Sequence, residues 1–146
     1  FYYSNCSTQL TSGYGFFGPG CAGTLGVSRN VATTQPRLGT TMTVAVNNLP
    51  VNAALMMTGF SKTTSILGAL PLSTTPYGAP GCFLRVSPDA NLLILGAGNT
   101  ANWNLTVPNV VALVGVLMHN QAVVLDPGFN ALGAVLSDAT GMMIGL

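Results

Sequence analysis

The chain has 146 residues, of which 49% are hydrophobic and only 5% charged, with a formal net charge of +1 and a mean hydropathy of +0.53. Its charged side chains are Arg29, Arg37, Lys62, Arg85, Asp89, Asp126 and Asp138. They leave no electrostatic footprint for DNA, RNA or an anionic membrane, which excludes nucleic acid as a partner. The longest apolar run, residues 110–118, falls well short of the ~20 residues a membrane helix needs, so no membrane span is predicted.

The length suits one domain, and a surface so poor in charge raises a solubility problem. Glycans, burial in an assembly or attachment to a larger chain would relieve it. Phe1-Tyr2-Tyr3 lacks the basic start and long apolar core of a leader. That fits a processed mature end or a sequence given without its leader.

In chain order, residues 1–17 come first. Phe1, Tyr2, Tyr3, Tyr14, Phe16 and Phe17 are six of the chain's 11 aromatics, with polar Ser4-Asn5-Cys6-Ser7-Thr8-Gln9 between them. Residues 1–13 read as an N-terminal arm, exchanged with a neighbouring subunit through Phe1, Tyr2 and Tyr3, or as the start of the first strand. Thr41-Met42-Thr43-Val44-Ala45-Val46-Asn47 alternates, with Met42, Val44 and Val46 on one face. Asn48-Leu49-Pro50 ends that strand. Residues 53–57, 92–95, 110–118 and 122–125 read as strands apolar on both faces. Such strands need cover on both sides, from overlying loops or from a neighbouring subunit. Asn102–Val107 alternates again, with Trp103, Leu105 and Val107 on one face, until Pro108 stops it. Dense turn signals, 18 Gly and 9 Pro, separate these stretches. The pattern predicts an all-β fold: an antiparallel β-sandwich, Ig-like or jelly-roll-like, over residues 14–146 with an N-terminal extension.

The three cysteines are Cys6, Cys21 and Cys82. An odd number in a secreted chain suggests one bridge and a spare, with free thiols as the rival reading. A metal site is disfavoured, because no C-x-x-C spacing occurs and His119 is the only histidine.

From about Tyr14 onward the chain resembles a β-sandwich domain of secreted proteins in planctomycetes and other environmental bacteria, often at the C-terminal end of large extracellular chains. The matching stretches are Gly18-Pro19-Gly20-Cys21-Ala22-Gly23-Thr24, Leu38-Gly39-Thr40-Thr41, Asn48-Leu49-Pro50, Gly78-Ala79-Pro80-Gly81-Cys82 and Pro108-Asn109. They continue with Asn120-Gln121-Ala122-Val123-Val124-Leu125-Asp126-Pro127-Gly128, then Asn130-Ala131-Leu132-Gly133 and Ser137. The resemblance implies an extracellular accessory or structural role, no enzymatic activity, and a Cys21–Cys82 disulfide. Cys6 lies outside the pattern, as a free thiol or a bridge to another subunit.

No catalytic constellation is legible. Asp89 in Ser87-Pro88-Asp89-Ala90, Asp126 before Pro127-Gly128, and Asp138 in Ser137-Asp138-Ala139 read as turn residues. His119 reads as ending a strand before a polar turn at Asn120-Gln121, and no G-x-S-x-G elbow accompanies it. Gly13-Tyr14-Gly15 lacks the lysine of a phosphate loop. Lys62 reads as a solvated loop charge. Three carboxylates are few for a calcium site, and no cofactor is expected. Asn5-Cys6-Ser7 and Asn104-Leu105-Thr106 are sequons, with Asn104 on the polar face of its strand. Serines and threonines in 33–43 and 61–75 are candidate O-glycan carriers. Trp103 shares its face with Leu105, which favours core packing over stacking on a sugar.

The expected function is an extracellular or cell-surface structural protein that binds copies of itself in a filament, sheath or surface layer. The alternatives are a carbohydrate- or surface-binding module using Tyr77 or Trp103, and a C-terminal sorting or anchoring domain.

Overall fold

A computed structural model describes residues 11–146. The strands in chain order are β1 (Gly13–Gly18), β2 (Ala22–Gly23), β3 (Gly26–Val27), β4 (Asn30–Ala32), β5 (Thr41–Val46), β6 (Ala53–Gly59) and β7 (Thr64–Ser65). There follow β8 (Gly68–Ala69), β9 (Leu72–Ser73), β10 (Phe83–Leu84), β11 (Ala90–Leu95), β12 (Ala101–Thr106), β13 (Leu117–Leu125) and β14 (Ala134–Met143). The only helical turns among the described residues are two short 3-10 turns, Thr75–Tyr77 and Val111–Leu113. The fold is therefore all-β, as the turn density predicts.

Two sheets carry the structure. The larger has the order β1-β14-β13-β6-β11 and the smaller β12-β5-β4, and every pairing within them is antiparallel. Met42, Val44 and Val46 of β5 and Trp103 of β12 share one buried cluster with Ala54 and Met56 of β6, Ala122 and Val124 of β13, and Met142 of β14. The period-two alternation of β5 and β12 points their apolar set at the larger sheet, while Thr41 and Asn102 stay in water. Trp103 is only 5% exposed.

The chain passes between the sheets twice at one end, from β5 to β6 and from β11 to β12. Three asparagines hold these turns together. Asn48, Asn52 and Asn99 all have positive φ, near 55–64°, a conformation that asparagine tolerates better than most residues. The Asn52 Oδ1 accepts the Asn99 backbone N–H at 2.6 Å, and the Asn99 amide donates to the Leu49 carbonyl at 2.8 Å.

The opposite face of the larger sheet is partly covered by the excursion between β6 and β11. It contains the small ladders β7–β8 and β9–β10. A disulfide joins Cys21 to Cys82 and ties this excursion to the segment before β2. Of the two-sided apolar stretches, 53–57 and 122–125 belong to β6 and β13: Ala54, Met56, Ala122 and Val124 enter the core cluster, while Leu55, Met57 and Val123 line the other face beside the excursion.

Three sequence readings are corrected. Residues 110–118 are not one strand: a 3-10 turn occupies Val111–Leu113, and Gly115 has φ 86°, which breaks the extended run before β13 begins at Leu117. His119 does not end a strand, and Asn120-Gln121 is no turn. All three lie within the nine residues of β13. Asp138 is not a turn residue but sits buried in β14. Gly13, the last residue of the expected arm, is the first residue of β1, and residues 1–10 of that arm lie outside the described residues.

Candidate functional site

The ionisable groups are dispersed. The Asp126 carboxylate is buried and grips Thr24 twice, accepting its backbone N–H and its hydroxyl at 2.7 Å each. This holds the β2–β3 turn against the end of β13. Asp89 accepts the Phe60 N–H at 3.0 Å and the Ser87 hydroxyl at 2.8 Å. These bonds lower its pKa, the Phe60 N–H most. Asp138 accepts the Asn30 N–H at 2.9 Å, yet burial pushes its pKa up.

His119 stands edge-on to Phe17, with ring centroids 5.6 Å apart, and the Lys62 ammonium lies 5.3 Å above the same Phe17 ring. Burial first, and the Lys62 charge second, lower the His119 pKa. Its Nδ1 is buried without a hydrogen-bond partner. Among the described residues no three His, Cys, Asp or Glu side chains gather in a group able to hold a metal, and no helix is long and apolar enough to cross a membrane.

Asn120 and Gln121, which the sequence assigns to a turn, instead join Thr58, Tyr14 and Thr140 in a polar belt across the larger sheet. Thr58 donates to the Asn120 Oδ1 at 2.9 Å, and Tyr14 and Thr140 share a hydroxyl bond of 2.7 Å. Gln121 is fully buried. Its carbonyl accepts the Arg85 N–H at 2.8 Å, and its amide donates to the carbonyls of Phe83 and Ser137 at 3.0 Å each. These groups are matched to one another or to backbone, so the belt is structural.

The feature without an internal explanation is apolar. β11 is an edge strand with β6 as its only sheet neighbour among the described residues. Leu92, Leu93 and Leu95 are 53%, 55% and 70% exposed. Natural edge strands are usually blunted by charge, proline, a bulge or an overlying loop. Ala90–Leu95 contains neither charge nor proline and pairs with β6 residue for residue without a bulge. Among the described residues, 92–95 is the one of the four two-sided apolar stretches that forms an edge strand.

Beside this edge lies an apolar groove of about 380 Å³ on the outer face of the sheet. Leu55, Met57 and Val123 form its floor, and Leu67, Tyr77 and Leu132 stand along its walls next to Asn91 of β11. Ile66, beside Leu67 at the tip of the β7–β8 hairpin, is almost fully exposed. The sequence signal for this site was present in the run Leu92-Leu93-Ile94-Leu95, but burial in a central strand was an equally good reading of it.

Asn104 lies exposed on β12, its Oδ1 accepting the Thr43 hydroxyl at 2.7 Å. Trp103 is in the core, and Tyr77 is exposed at the groove. Phe1, Tyr2, Tyr3, Asn5 and Cys6 lie outside the described residues. Comparison with known protein families, curated proteins and solved structures finds no match.

Proposed function

We propose that this chain is an extracellular structural protein that associates with copies of itself, as a subunit of a filament, sheath or surface layer. The observation that carries this reading is the exposed apolar edge β11 in a chain with 5% charged residues. An unblunted edge presents unpaired backbone donors and acceptors together with apolar side chains, which is the chemistry of strand addition. The Cys21–Cys82 disulfide suits an oxidising compartment. The polysaccharide-binding alternative loses Trp103 to the core and retains only Tyr77 as an exposed candidate.

Sedimentation velocity across a concentration series, with negative-stain imaging at the highest concentration, tests the reading. Oligomers or polymers that dissociate on dilution support it. A monomer at every concentration removes it.

A further inference from the structure

We infer that the partner of β11 is the β11 of a second copy, paired antiparallel about a two-fold axis normal to the sheet. The inference rests on the self-association proposed above and specifies one contact of it: being isologous, this contact closes on a dimer, and a filament or layer is built from such dimers through a second surface.

Three observations point to this arrangement. The first is strand direction. Five strands, each antiparallel to the next, make the two edges β1 and β11 run the same way. A head-to-tail contact that keeps the outer faces on one side would pair β11 with β1 in parallel. A two-fold contact pairs β11 with itself antiparallel, and antiparallel ladders are slightly more stable per residue.

The second is charge. An isologous contact sets each patch against its own copy, so any charge near the axis meets its like. Ala90–Leu95 carries none, and the groove residues flanking it are also uncharged. The nearest carboxylate, Asp89, is held by Phe60 and Ser87.

The third is area. The exposed parts of Leu92, Leu93, Leu95, Leu67 and Tyr77 sum to roughly 550–600 Å² on typical residue areas, or about 1,100–1,200 Å² for two copies, near the lower bound of specific interfaces. Leu67 and Tyr77 line the same groove as Asn91, so they flank the edge and meet the second copy beside the paired strands.

The two-fold keeps outer-face residues opposite outer-face residues. The register that places Leu93 against Leu93 also sets Leu92 against Ile94 and Asn91 against Leu95, and leaves Asp89 beyond the paired strands. Leu93 side chains then meet on the axis, at the Cα separation an antiparallel pair shares with a disulfide, about 4.5–5.5 Å.

The test uses the full chain with Cys6→Ser, so that the introduced thiol is the only one unpaired. Under mild oxidation Leu93→Cys is expected to give a covalent dimer, whereas Leu92→Cys, which faces Ile94, stays largely uncrosslinked. Leu93→Lys is expected to sediment as a folded monomer, its fold checked by circular dichroism. An oligomeric parent chain whose Leu93→Cys variant fails to crosslink overturns the two-fold edge while leaving self-association standing. A parent chain that is monomeric throughout overturns both.

Discussion

Gly59 and Ser87 approach so closely that no side chain fits between them. A Cβ on Gly59 would lie inside the contact distance of the Ser87 carbonyl oxygen and hydroxyl. Gly59 ends β6 opposite His119, and Ser87 anchors the returning excursion through its bonds to Ser61 and Asp89. The close approach is what lets that excursion lie on the sheet.

Gly59→Ala is therefore expected to destabilise the fold by roughly 3 kcal/mol, at the upper end of overpacking costs. Gly15 lies in the same cross-sheet row, through Gly141 and His119, but a Cβ there meets nothing within 4 Å. Gly15→Ala is expected to change stability by under about 0.5 kcal/mol. Paired thermal melts decide it: similar shifts for the two variants would contradict the packing argument.

Gln121→Leu should be far more damaging than its similar size suggests. It orphans the Arg85 N–H and the carbonyls of Phe83 and Ser137, a loss of roughly 3 kcal/mol. Denaturant titration measures this directly. A variant within 1 kcal/mol of the parent, on the scale of a single net hydrogen bond, would show the network to be dispensable.

Alkaline stability should follow Tyr14. Burial raises its pKa from 10.0 to about 12, against the lowering effect of its bonds to Thr140 and Asn120. The folded state holds the phenolic proton after the unfolded state has released it. Stability is thus full below pH ~10 and falls between about 10 and 12 by roughly 2–3 kcal/mol. Tyr14→Phe should flatten that limb in denaturant midpoints measured against pH. An unchanged alkaline slope would assign it to another group.

Reduction of the Cys21–Cys82 bridge opens a covalent loop with a sequence separation of 61. By chain entropy the bridge contributes about 4 kcal/mol. Loss should be local first, because Cys82 tethers the excursion that covers the outer face. Limited proteolysis after reduction is expected to cut near Ile66–Leu67 before any cut in β13 or β14. Simultaneous cutting throughout would indicate global unfolding instead.

The strands with one wet face were legible in the sequence because their pattern is local. Met42, Val44 and Val46 of β5 and Trp103 of β12 alternate with residues that face water, and both strands form as read. β13 was misread for the opposite reason. His119, Asn120 and Gln121 look like a turn, but Thr58, Tyr14, Arg85 and Ser137, all at least 15 residues away, satisfy the two amides. Asp138 was misread likewise, since its partner Asn30 is 108 positions distant. In 110–118 the valines suggested a strand, while the left-handed backbone at Gly115 left no mark that distinguishes it from any other glycine. The exposed edge was half legible: Leu92-Leu93-Ile94-Leu95 announced an apolar strand, and only the sheet order reveals that, among the described residues, no strand pairs beyond it.

Trp103 gives the molecule an intrinsic optical probe. It is the sole tryptophan, buried between the sheets, and it lines a groove of about 230 Å³ together with Leu92 of β11. Its emission should be blue while the sheets are together and shift red as they part. Because Leu92 reaches from the uncovered edge into that same groove, the spectrum also responds to what settles against β11. Docking at the edge is thereby visible as colour, without any label attached to the chain.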